Sequence, residues 1–196
     1  LPIGIFRWKF EKEGYETVMA AASTWNGDIL KPDIIMPYDL ERTLDKKGSI
    51  PPGMVRVEGT ETPVGMLDDF YIDRHEVTNR QYKEFIRAGG YRNREFWKER
   101  FVLDGKEVSW EDAIKIFVDQ TGQPGPAGWQ AEDHPEGGAE FPVSGVSWYE
   151  AAAYAGFAGK SLPTGYHWGV ARGEYTPMVL FPQLGGFAIF ARFTNF

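Results

Sequence analysis

Apolar and polar positions alternate along Ile3–Phe10. Phe6, Trp8 and Phe10 fall on one face and Arg7 and Lys9 on the other, the two-residue period of a half-buried strand. Lys12-Glu13-Gly14 predicts a turn, and Tyr15–Val18 a returning strand. From Thr24 to Pro52 the period dissolves. Pro32, Pro37, Pro51 and Pro52 interrupt it, and Asp45-Lys46-Lys47-Gly48 reads as solvated, so this stretch is expected to be a linker with short extended pieces. The expected division is a β-strand segment and Pro-rich linker over 1–52 and a main domain over 53–196. Met54–Val57 and Phe70–Asp73 open the latter as strands.

The helix signals are sharper. Thr78 is placed to cap, Gln81 to reach back from the third helical position, and Val77 to staple against Tyr82. Tyr82, Phe85 and Ile86 form the apolar stripe, which Gly89-Gly90 ends. Ser109-Trp110-Glu111-Asp112 predicts a second helix with Trp110, Ala113, Ile114 and Phe117 at helical spacing. Ser147-Trp148-Tyr149-Glu150 is another capping box, with a stripe of Trp148, Ala151, Ala152 and Ala155 running to Gly159. Its small residues favour close approach to a neighbour, with Trp148 as the one large plug. A fourth helix follows Pro163-Thr164 and runs to about Arg172, with Gly173 as its stop. Between the second and third helices lies Gly122–Gly138, a glycine- and proline-rich loop of the length that is functional or mobile. No internal repeat is present. Short helices among scattered strands predict an α+β fold and not a regular βαβ alternation.

Composition narrows the function. The 196 residues fit one domain, or a domain plus an appendage, with 42% hydrophobic and 25% charged residues, a globular balance. The formal charge of −7, with no Lys/Arg cluster, argues against a nucleic-acid or anionic-membrane partner. Cysteine is absent, which excludes disulfides, thiolate metal sites and cysteine nucleophiles within this chain. The longest apolar tract, Met178–Phe193, is broken by Pro182, Gln183 and Gly185-Gly186, too broken for a membrane span. Leu1 in place of an initiator Met is read as a sign of a fragment or processed product. Compartment is left open.

Candidate chemistry is sparse. His75, His134 and His167 form no HExxH or HxH pattern. Surface polar packing accounts for His75, loop solvation for His134 and a helix face for His167. Asp68, Asp69, Asp73 and Glu76 lack the ligand spacing and central glycine of a calcium loop and read as a solvated strand edge. Gly145-Val146-Ser147-Trp148-Tyr149 matches only half of a nucleophile elbow, and Ser147 is better used as a cap. Among the tryptophans, Trp110, Trp148 and Trp168 occupy helix positions that core packing explains. Trp129 sits in the loop and is the first choice for a ligand or partner contact, with His134 beside it, although packing of the loop on its own domain is the simpler account.

Two blocks carry more. Asp73, Glu76-Val77-Thr78-Asn79, Tyr82 and Phe85 form a D-x-x-E-V-T-N-x-x-Y-x-x-F motif. Pro142-Val143, Val146-Ser147-Trp148, Ala151, Ala158-Gly159-Lys160, Leu162-Pro163-Thr164, Trp168 and Ala171-Arg172-Gly173 form a second in the same order. Both resemble the signatures of the formylglycine-generating enzyme, or sulfatase-modifying factor, family from about Gly53 onward. The fold signature on this resemblance is Glu76, Thr78, Asn79, Ser147, Trp148, Leu162, Pro163, Thr164, Trp168 and Arg172. Leu162-Pro163-Thr164-Gly165-Tyr166-His167-Trp168 is similar to the version that follows bacterial Ser/Thr protein kinases, and the first 20 residues resemble a small β module of such proteins.

The resemblance implies a C-type-lectin-like α+β fold, incomplete at the C-terminus because Thr194-Asn195-Phe196 precedes the family's later G-N-V-W-E-W-like signature. The family's oxidase converts a sulfatase cysteine to formylglycine with copper and two active-site cysteines; the related sulfoxide synthases carry an iron-binding histidine set in another domain. Neither set is present, so no catalytic, cofactor or metal residue carries over. Gly165 and His167 stand where the family favours acidic or helix-forming residues, and Gly alone costs ~1 kcal/mol against Ala in a helix. The expected role is a non-catalytic binding or sensory module, its partners other domains of a larger polypeptide and a peptide or glycan ligand. The alternatives are the front portion of an oxidase or synthase whose chemistry lies beyond Phe196, and a lectin-like receptor using Gly122–Gly138. Loss of later strands would leave Phe187, Ile189, Phe190 and Phe193 as exposed apolar surface prone to association.

Overall fold

A computed structural model describes residues 5–23 and 41–172. The Thr24–Leu40 part of the expected linker, the Gly173 stop and the apolar tail from Met178 lie outside the described residues. The chain divides into a region of Leu1–Ile72 with Gly165–Phe196 and a region of Asp73–Thr164. Short helices and small sheets give the α+β class that the sequence predicts.

In the first region β1 (Ile5–Phe10) pairs antiparallel with β2 (Val18–Ser23), Phe10 opposite Val18 and Ile5 opposite Ser23. The return therefore begins where the expected strand over Tyr15–Val18 ends. The reason lies in hydrogen bonding: the Glu16 N–H donates to the Asp45 carbonyl (2.8 Å) and the Lys47 N–H to that of Gly14 (2.9 Å), so residues 14–16 are engaged by residues 45–47 and not by β1. β3 (Met54–Val57) pairs with β6 (Phe70–Asp73), while β4 (Thr60–Thr62) and β5 (Gly65–Leu67) form a hairpin between them. Asp45 corrects the expectation of a solvated Asp45–Gly48. It is buried, and Arg56 on β3 donates to both its carboxylate oxygens, Nε at 2.8 Å and Nη2 at 2.5 Å. Arg56 Nη1 also reaches Asp69 at 2.6 Å. α4 (Gly165–Ala171) forms despite its N-terminal glycine, with the His167 ring edge-on to Phe70 at 4.8 Å.

The second region holds the aromatic core. α1 (Asn79–Arg87) starts at the Thr78 capping box, with the Gln81 carboxamide accepting from the Thr78 N–H at 2.9 Å. It places Tyr82 and Phe85 inward, Phe85 at 0% exposure. Gly89 has φ +79°, and a Cβ at Gly90 would lie 2.2 Å from the Phe85 ring, so this pair both stops the helix and makes room for its buried ring. After a 3-10 turn at Arg94–Phe96, the short hairpin β7 (Val102–Leu103) and β8 (Lys106–Glu107) turns through Asp104 and Gly105. α2 (Trp110–Ala113) is capped by Ser109 as predicted but is only four residues long. The chain leaves the helical path so that Phe117 can stack on Trp97, at 5.5 Å and 11°, and Val118 can bridge to Pro124.

α3 (Trp148–Phe157) starts at the Ser147–Glu150 capping box. Trp148 is not its plug: it is 57% exposed. The buried residues of the helix are Glu150, Ala153 and Ala155, so of the expected stripe Ala155 turns inward, Ala151 and Ala152 are half-buried and Trp148 is exposed. The small residue that admits a neighbour is Ala153, against which the ring cluster of Tyr82, Phe85, Tyr91 and Trp97 packs. Trp168 is likewise exposed, with the Arg172 guanidinium 4.5 Å over its ring.

Candidate functional site in the loop between the second and third helices

The loop is organised by Asp119, a residue that the sequence motifs do not flag. Its Oδ1 accepts from the Thr121 N–H and hydroxyl, both at 2.7 Å, and from the Gln123 N–H at 3.1 Å; its Oδ2 accepts from the Glu132 N–H at 2.8 Å. Burial alone would raise this carboxyl, but the N–H groups of Glu132, Thr121 and Gln123 and the Thr121 hydroxyl outweigh it and hold it below the ordinary range. Asp119-Gln120-Thr121-Gly122 is an Asx-turn pattern, and that is the signal by which sequence reading could have found it.

Asp119 reaches across to a strained turn. Gln130 and Asp133 exchange backbone hydrogen bonds at 3.0 and 3.1 Å, with Ala131 and Glu132 at φ +52° and +60°. Such a turn ordinarily carries Asn-Gly, since a Cβ disfavours positive φ. Here the Ala131 N–H donates to the Thr121 hydroxyl (3.1 Å), and the Gln130 carboxamide to that of Gln120 (2.8 Å), so the Asx turn clamps it.

Trp129 sits beneath this turn at 2% exposure, edge-on to Tyr82 at 6.2 Å and to His134 at 5.6 Å. His134 is half-buried; its Nδ1 lies 3.0 Å from the Pro135 carbonyl and its Nε2 3.8 Å from Asp133. Asp133 also receives the Lys83 ammonium from α1 at 2.5 Å, and that pairing holds its carboxyl low against a smaller effect of burial. Gly128, Gln130, Asp133, His134, Pro135 and Glu136 line an open groove of about 350 Å³. The two loop residues singled out in sequence thus meet ring to ring, but His134 lines the groove and the buried Trp129 does not.

The signature residues serve the frame. The Asn79 carboxamide donates to the Gly138 carbonyl at 2.8 Å, and the Asn79 and Val143 N–H groups bond Phe141 and Val77. The first signature block thereby ties down the end of the loop and the start of the second block. Ser147 caps α3, while Glu76, Pro163 and Thr164 are exposed and Leu162 is half-buried. Glu150 does more than cap. It is 3% exposed, accepts from Tyr91 Oη and the Ser147 N–H at 2.6 Å each, and continues through Tyr91 to Tyr82 Oη at 3.1 Å. Burial raises its carboxyl despite these donors, and burial likewise raises both tyrosines.

The arrangement can bind; it holds no nucleophile paired with a base. Thiolates, the soft donors of the family's copper(I) chemistry, are absent from this chain. Among the described residues, no three His, Asp or Glu side chains converge as a cation cage.

Residues 36–176 match the model of the sulfatase-modifying factor enzyme 1-like domain. The formylglycine-generating enzyme of Thermomonospora curvata is 35% identical over 114 residues, 54% of this chain and 37% of that protein. The mouse (Mus musculus) formylglycine-generating enzyme is 32% identical over 117 residues, 52% of this chain and 30% of that protein. The serine/threonine-protein kinase pkn1 of Chlamydia pneumoniae is 28% identical over 137 residues, 69% of this chain but 19% of the kinase. The matches span between 19% and 37% of these relatives' lengths.

Proposed function

Because the chain belongs to the sulfatase-modifying factor family, we propose that it is a non-catalytic binding or sensory module of a larger modular protein, of the kinase-linked kind. The observation that carries this reading is the absence of cysteine from all 196 residues. The family's oxidation needs thiols both to hold copper and to reach the substrate, and neither His134 nor the buried Glu150 replaces a thiolate in that chemistry. The alignment with a Ser/Thr kinase, which covers more of this chain than those with the two enzymes, supports the kinase-linked form. In this reading the chain follows a C-type-lectin-like path with residues 1–52 as an appendage to 53–196. The ligand meets the loop at His134 above Trp129, and the remaining signature residues hold the frame.

A second reading is favoured by the higher identity to the enzymes, 35% and 32% against 28%: the chain as the front portion of an oxidase whose cysteines lie in other residues of the parent protein. Titration of the purified chain with copper(I) against a chelating indicator tests the first reading. It predicts that the indicator keeps its metal, and stoichiometric transfer of copper to the chain would reject it.

A further inference from the structure

We propose that Tyr91 is the buried end of a one-electron relay that opens at the exposed Trp148, with Glu150 as its proton acceptor. An oxidant at Trp148 draws an electron from Tyr91, and the phenol proton passes to the Glu150 carboxylate 2.6 Å away. The Tyr91 O–H bond breaks and an O–H bond forms on Glu150. The electron reduces a one-electron oxidant of the metal-polypyridyl class, and a neutral tyrosyl radical is left. The relay lies in the aromatic core and is independent of any ligand at the groove.

Charge, proton position and ring order each point to it. Glu150 is 3% exposed, and no Lys, Arg or His pairs with it among the described residues. Its charge is held by the Tyr91 hydroxyl and the Ser147 N–H, both at 2.6 Å. A charge without a counter-ion in a low-dielectric core is costly. Taking an electron from Tyr91 and handing its proton to Glu150 changes the pair from one negative charge to none. The burial that penalises the carboxylate therefore favours the oxidised pair. A radical that kept its proton would instead put two charges in the core where there was one. The proton has one place to go. Tyr91 donates to Glu150, and so the Tyr82 hydroxyl, 3.1 Å from the Tyr91 oxygen, donates to Tyr91. That donor stays in place when the Tyr91 oxygen becomes the radical centre. A series of rings leads outward, centroid to centroid. Trp97 lies 5.5 Å from Tyr91, Phe101 6.1 Å from Trp97, Tyr149 4.9 Å from Phe101 and Trp148 5.4 Å from Tyr149. Electron tunnelling falls steeply with distance, and every step here is a ring contact. Trp97 is 2% exposed, whereas Trp148, at 57%, is the end that an oxidant in solution reaches. The titratable groups facing Glu150 are Tyr91 and, on α1, Tyr82; Tyr154, on α3 itself, faces Tyr82.

The test uses the intact chain and photogenerated tris(bipyridine)ruthenium(III) at about pH 8, well above the ordinary carboxylate range. Transient absorption and freeze-quench electron paramagnetic resonance should show a tryptophanyl radical giving way to a neutral tyrosyl radical. Tyr91→Phe should abolish the tyrosyl signal. Glu150→Gln keeps the side-chain shape but takes no proton, and should cut the yield about a hundredfold, the lower end of what a positioned base contributes. In the parent chain the yield should fall as pH drops and Glu150 takes its proton from solvent. Burial raises that carboxyl, so the fall comes above the ordinary value of 4.5. A role in packing alone would give no such profile. Trp148 is exposed, so Trp148→Phe should keep the parent melting temperature and slow the formation of the tyrosyl radical. A tyrosyl signal that persists in Tyr91→Phe, a yield indifferent to pH and to Glu150→Gln, or an unchanged rate in Trp148→Phe would overturn the proposal. Where a variant loses its near-UV circular dichroism, the pH profile of the parent chain decides, and a flat profile contradicts the relay.

Discussion

The two regions of this molecule are stabilised in different ways. In Asp73–Thr164 the interior is a continuous set of rings, Tyr82, Phe85, Tyr91, Trp97, Phe101 and Trp129, closed by α3 at Ala153. In the other region the buried side chains among the described residues are few, and two of them, Asp45 and Thr62, are polar. Its hairpins are organised by one guanidinium, Arg56, which holds Asp45 and Asp69 and lies 5.5 Å from the Tyr71 ring. The aromatic region depends on volume and the β-rich region on charge. The Gly122–Gly138 loop therefore rests on a rigid aromatic base, while the β-rich part relies on a few directional contacts.

The contrast sets the order of expected effects. Phe85→Ala should cost the most, about 3–5 kcal/mol, because the ring is wholly buried among Tyr82, Tyr91 and Phe157. Thermal denaturation followed by near-UV circular dichroism measures it, and a loss under about 1 kcal/mol would show that the ring cluster is not the base claimed here. Arg56→Met should cost about 2–3 kcal/mol, less than the 3–5 of a fully buried pair because the guanidinium is partly exposed. Hydrogen exchange should rise locally around residues 45 and 69–71.

The pH response sharpens the comparison, because the buried carboxylates Asp45 and Glu150 differ in sign. The hydrogen bond from Arg56 holds Asp45 low against burial, so its contribution is complete above the unfolded value of 3.8 and is lost as pH falls through the folded one. Burial raises Glu150, so its contribution is complete below the unfolded value of 4.5 and is lost as pH rises through the folded one. In Glu150→Gln the decline in melting temperature from about pH 4.5 towards neutral should flatten. An unchanged slope would remove Glu150 as its cause. The smallest expected effect is a gain: Ala131→Gly relieves positive φ in the clamped turn and should stabilise by about 0.5–1 kcal/mol in urea unfolding.

What was legible in the sequence was local. The capping boxes at Thr78 and Ser147, the stop at Gly89-Gly90 and the alternation of Phe6, Trp8 and Phe10 each depend on neighbours within a few residues, and each stands where the pattern placed it. The misses depended on distant partners. Nothing near Asp45 announces Arg56, so a charged turn looked solvated. Trp148 looked like a plug because a large ring beside alanines suggests packing, yet the face of α3 is chosen by what α1 and Trp97 present to it. Asp119 carries a local signal, the Asx turn to Thr121 and Gln123, but its link to Glu132 and the second role of Glu150, through Tyr91, come from 13 and 59 residues away. Trp129 and His134 could be named as a pair, but only the fold buries the first in the aromatic core and leaves the second in the groove wall.

The most direct test of the account is mass spectrometry of a sulfatase-derived cysteine peptide incubated with the purified chain, copper(I) and oxygen. A scaffold without thiols should return the peptide with its sulfur intact. Conversion of that cysteine to an aldehyde by this chain alone would contradict the account.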